Sequence, residues 1–79
     1  MDELIDILEG MGFTMREQPE GQHGAFMQEK THCSKGGRKY EVVGSMGGGF
    51  RAIRINTSVN ASFGQARDMA RWLAKDAAR

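Results

Sequence analysis

The sequence predicts one small α+β domain: a helix, a three- or four-stranded antiparallel sheet and a second helix, with both helices on one sheet face. Three observations point there. Each end of the chain carries apolar residues at helical spacing, and residues 13–57 between them are rich in strand formers cut by glycine turns. The whole chain, 79 residues, is enough for one domain near the lower size limit of an independent core.

The first helix is expected over residues 2–11. Leu4, Ile5, Leu8 and Met11 fall at i, i+1, i+4 and i+7, which makes one apolar stripe. Asp2 is placed to cap it, and Asp2, Glu3 and Asp6 suit the positive end of the macrodipole. Gly12 is a left-handed terminator, with Phe13 beyond it for a hydrophobic contact.

In the middle, Phe13 and Met15 alternate with Thr14 and Arg16 until Pro19, so residues 13–18 are a possible fourth strand. Pro19-Glu20-Gly21 opens a turn that Gly24 closes. A strand over residues 25–33 follows, then the turn Ser34-Lys35-Gly36-Gly37, whose glycines supply the positive φ of a tight hairpin. Residues 40–43 make the next strand and Gly47-Gly48-Gly49 the next break. The clearest strand covers residues 50–57, with Ile53 and Ile55 on one face and Arg54 on the other. The last helix is expected over residues 62–78. Ser62 and Gln65 have capping-box spacing; Ala66, Met69, Ala70, Leu73 and Ala77 form its apolar stripe, flanked by Trp72.

A 39% hydrophobic, 27% charged composition excludes a disordered chain. Cys33 stands alone, so no disulfide staples the core, and a reducing, cytoplasmic location is expected. No segment is apolar enough to cross a bilayer, and Met-Asp-Glu is the reverse of a basic secretory start. A core this small often leans on a partner, so a monomer or a small homo-oligomer is expected.

The net charge of +1 hides segregation: residues 1–20 carry −5 and residues 21–79 carry +6. Arg67, Arg71, Lys75 and Arg79 recur every four residues and wind a basic stripe along the last helix, which Asp68 and Asp76 offset only in part. Arg51 and Arg54 on the clearest strand, with Lys35, Arg38 and Lys39 at the hairpin, add to it. Lys35, Arg38, Lys39, Arg51, Arg54, Arg67, Arg71 and Lys75 are therefore the expected partner-binding residues.

Catalysis finds no footing. The thiol and imidazoles are Cys33, His32 and His23; His32 and Cys33 are adjacent in a strand and point to opposite faces. A structural zinc site lacks its paired spacings. Gly47-Gly48-Gly49 lacks the Lys-Ser/Thr ending and helix of a phosphate loop. No catalytic residue, metal or cofactor is expected.

The order helix–strands–helix with a basic second helix resembles the double-stranded-RNA-binding domain. That family grips phosphates with a Lys-Lys-x-Ala-Lys run opening its last helix; the stretch in that place, Ser62-Phe63-Gly64-Gln65-Ala66-Arg67, has no lysine pair. In size, compactness and one charged binding face the chain also resembles phage-encoded anti-CRISPR proteins. That resemblance implies a non-enzymatic inhibitor that occludes a surface of a larger protein or ribonucleoprotein complex, blocking target-DNA binding by a Cascade-type assembly. A nucleic-acid-binding module is the alternative.

Overall fold

A computed structural model describes residues 1–17, 29–45 and 47–79. Within these residues the chain is an α+β domain in which two helices cover one face of a five-stranded antiparallel sheet. The order is α1 (Asp2–Gly10), β1 (Thr14–Glu17), β2 (Glu29–Lys35), β3 (Arg38–Gly44), β4 (Phe50–Arg54), β5 (Asn60–Phe63) and α2 (Ala66–Ala77). The strands lie in the sheet in chain order, so each pairs with its neighbour in sequence.

Helix α1 ends as its sequence dictates. Gly12 sits at φ 92°, Phe13 N–H donates to the Leu8 carbonyl and Gly12 N–H to that of Glu9. That is the paired bonding of a Schellman ending, and it turns Phe13 into the core. Asp2, expected as the cap, is instead the first helical residue, with Met1 at the N-cap and no side-chain capping bond. The tight hairpin forms at Gly36 and Gly37, φ 63° and 83°, between paired Lys35 and Arg38. Positive φ at both central positions is the two-residue turn whose twist matches the strands.

Residues 13–18 do supply a strand, β1, and β2, described from Glu29, runs on through Ser34 and Lys35, past the expected end at Cys33. The expected turn from Pro19 to Gly24, with His23, and the start of the 25–33 strand lie outside the described residues.

The largest difference is at the end of the sheet. The strand expected over 50–57 stops at Arg54, because Asn56 enters the left-handed region at φ 69° and Thr57 bonds back to the Arg54 carbonyl. The chain then returns as β5, where the last helix was expected to begin. Ser62 is therefore a strand residue, not a cap; α2 starts at Ala66 behind Gln65, with no side-chain capping bond. A four-residue strand with only Phe63 as a strong strand former gives little periodicity to read.

Strand alternation sorts the sheet into two faces. Thr31, Cys33, Tyr40, Val42 and Ala52 point toward the helices and are buried with Leu4, Leu8, Phe13, Met69, Ala70 and Leu73. Leu4, Leu8, Tyr40, Val42, Met69 and Leu73 are fully inaccessible, each apolar side chain contributing about 1.5–3 kcal/mol by leaving water. Among the described residues, the opposite face carries no helix.

Candidate interaction surface

Two groups of polar residues separate once the fold is set: those that hold α2 to the sheet, and those left on the open face.

Asp76 organises the first group. Although expected on the solvent side of α2, it is buried at 5% exposure. Its Oδ2 accepts from the Tyr40 hydroxyl at 2.6 Å and from Arg54 Nε at 2.9 Å, and its Oδ1 from Arg54 Nη2 at 2.5 Å. Arg38 donates to the Asp76 carbonyl and has Nη1 3.9 Å from Oδ2. This joins β3, β4 and the end of α2. The Arg54 bonds hold the Asp76 carboxyl below its usual range, against the opposing effect of burial, with Tyr40 adding to the lowering. Burial, then the hydrogen bond to Asp76, pushes the Tyr40 hydroxyl up to about 12. Lys35 is also occupied within the molecule: Nζ donates to the Met11 carbonyl at 2.6 Å and lies 5.5 Å from the Phe13 ring centroid. Of the eight expected binding residues, Lys35, Arg38 and Arg54 thus hold the fold together.

The other five divide between two sides. Arg67, Arg71 and Lys75 are exposed along α2, as the four-residue spacing dictates, while Lys39 and Arg51 stand on the open sheet face. Because α2 packs on the other face, these five do not form one surface.

The open face is where the register gathers most. The pairs Arg16–His32, His32–Glu41, Glu41–Ile53 and Ile53–Asn60 make one row across the sheet, and Lys30–Val43, Val43–Arg51 and Arg51–Ser62 another. Thr14–Ser34 and Ser34–Lys39 begin a third, closed by Ile55, whose N–H donates to the Lys39 carbonyl. Among the described residues, Arg16, Lys30, Lys39 and Arg51 share this face with one carboxylate, Glu41, which sits 3.2 Å from His32 Nε2. Half-buried Val43, Ile53 and Ile55 form a diagonal strip from β3 to the end of β4, beside the Glu41–His32 pair that occupies the middle row. Arg16 and Lys30 were not singled out from the sequence, for only the pairing puts them beside Lys39 and Arg51.

Two concavities lie on this face. A shallow depression of about 660 Å³ takes in Glu41, Val43, Arg51 and Ile53 together with Phe50, Phe63 and the glycine loop at Gly48–Gly49. A smaller one, about 260 Å³, lies at the other end between Thr14, Arg16, Ser34, Lys39 and Ile55.

Cys33 and His32 do project to opposite faces. The thiol is 2% exposed and burial pushes it up to about 12, so it is a poor nucleophile. Among the described residues no group of three or more His, Cys, Asp or Glu side chains is placed to hold a metal ion. No described helix is long and apolar enough to cross a membrane. Comparison with protein-family models, curated proteins and solved structures gave no match.

Proposed function

We propose that this domain is a non-enzymatic binding protein that lays its open sheet face on an acidic surface of a larger nucleic-acid-handling complex and occludes it. The observation that supports this reading is the make-up of that face: an aliphatic strip, Val43, Ile53 and Ile55, among Arg16, Lys30, Lys39 and Arg51. Aliphatic surface bordered by charge suits a protein–protein interface, and among the described residues four bases against one acid call for an acidic partner. The cytoplasmic, anti-CRISPR type of inhibitor, which blocks target-DNA binding by a Cascade-type complex, is the particular form we infer.

The test is competition. The domain is added to a purified Cascade-type complex before target DNA, and retention of the DNA is measured beside binding of the domain to bare duplex. Blocked DNA binding, with weak affinity for bare duplex, is the expected result. Tight binding to bare DNA or RNA that falls steeply with salt marks a nucleic-acid-binding module instead.

A further inference from the structure

We infer that the smaller concavity on the open face is an oxyanion site for a phosphate group carrying two negative charges. This goes beyond the docking function and does not rest on it.

Four strands or their ends contribute. Thr14 and Arg16 come from β1, His32 and Ser34 from β2, Lys39 from β3, and Ile55 follows β4. The register brings them together: Thr14 pairs with Ser34 and Ser34 with Lys39 in one row, and Arg16 pairs with His32 in the next. Facing residues in neighbouring strands place their Cβ atoms about 4.5–5.5 Å apart, so the side chains of these rows reach a common centre.

The chemistry of the lining selects the ligand. Two permanent cations, Arg16 and Lys39, and two hydroxyls, Thr14 and Ser34, line the space, and among the described residues no carboxylate does. Glu41, the nearest acid by register, is turned to His32 at 3.2 Å. Two positive charges match a phosphate group of charge about −1.5 to −2, and guanidinium, ammonium and hydroxyl donors outnumber what one carboxylate needs. The volume of about 260 Å³ lies at or below the small end of ligand pockets, about 300–1,000 Å³, and fits a single such group. Ile55 forms an apolar wall against which the carbon side of a phosphate ester lies.

The intact protein is titrated with inorganic phosphate, phenyl phosphate and acetate while backbone amide shifts are followed. Saturable shifts at Thr14, Ser34 and Lys39 with phosphate, at a Kd of about 1 mM or below, are expected, with acetate at least tenfold weaker. Tighter binding of phenyl phosphate than of inorganic phosphate assigns the site to a phosphate ester, and equal binding assigns it to the free ion; either supports the site. Lys39→Gln and Arg16→Gln should each weaken binding tenfold or more at unchanged Tm, whereas Arg71→Gln, on the far side of the sheet, should leave it unchanged. Acetate binding as tightly as phosphate, shifts that never saturate, or equal loss from Arg71→Gln overturns the assignment.

Discussion

Replacing Asp76 with alanine is the most informative perturbation of the fold, because one carboxylate receives Tyr40 and Arg54 and sits beside Arg38. The loss is unevenly felt. Arg38 and Arg54 keep side-chain exposures of 29% and 22%, so both turn to water when the carboxylate goes. The Tyr40 hydroxyl has no such route, since that side chain is fully buried. An orphaned buried donor costs about 1–3 kcal/mol. Adding the lost tie between α2 and the sheet, Asp76→Ala should cost about 2–3 kcal/mol. For a domain of this size that lowers Tm by about 10–20 °C. Tyr40→Phe alone should cost about 1 kcal/mol, because Arg54 still satisfies Asp76. The double variant then leaves no orphan hydroxyl and should be less destabilised than the sum, by about 1 kcal/mol. Urea unfolding of the four proteins measures the cycle. Asp76→Ala within about 0.5 kcal/mol of wild type, the range of ordinary surface changes, would refute the reasoning.

Four further outcomes follow from the same geometry. Since the Asp76 carboxyl is held below its usual range, its contribution to stability is full above the unfolded value of about 3.9 and is lost as pH falls through the lower folded value; Asp76→Asn should flatten this acid limb of the unfolding curve. Tyr40, raised to about 12, works the other way: its stability is full below about 10 and declines toward 12, which Tyr40→Phe should remove from an alkaline melting series. Cys33 should react with iodoacetamide in the folded protein at least about 100-fold more slowly than in urea, because the 2% exposed thiol reacts only through opening; equal rates would place it at the surface. Gly36→Ala and Gly37→Ala should each destabilise by about 1 kcal/mol through positive φ, measured by the urea midpoint.

Much of the fold could be read from the chain, and the failures share a cause. Helix α1 and its Gly12 ending, the Gly36-Gly37 hairpin and the apolar stripe of α2 are local patterns, and each appears where its spacing predicts. Strand β5 was hidden because Asn60, Ala61 and Ser62 carry almost no strand signal, and Ser62 with Gln65 imitated a cap. The interaction surface was only half legible. Basic residues are visible in any sequence, but whether one faces water depends on what lies across the sheet. Arg54 looked outward by alternation against Ile53, yet that side is the one α2 covers, and Asp76 awaits it there. Conversely, Arg16 and Lys30 join Lys39 and Arg51 only through a register that no local pattern reveals.

The claim that the open sheet face is the docking surface is tested most directly by reversing the two sides separately. Arg51→Glu with Ile53→Glu places two carboxylates at the centre of that face, and Arg67→Glu, Arg71→Glu and Lys75→Glu reverse the stripe on α2. Each protein is assayed for blocking DNA binding by the Cascade-type complex, at equal concentration and after its Tm has been checked. The sheet-face variant should lose blocking by about 100-fold or more, since one hot-spot position costs about 2 kcal/mol or more and two positions are reversed together. The α2 variant should stay within about threefold of wild type, the effect of a rim charge. Retained blocking by the sheet-face variant, with loss in the α2 variant, would contradict the account and move the docking surface to the helix.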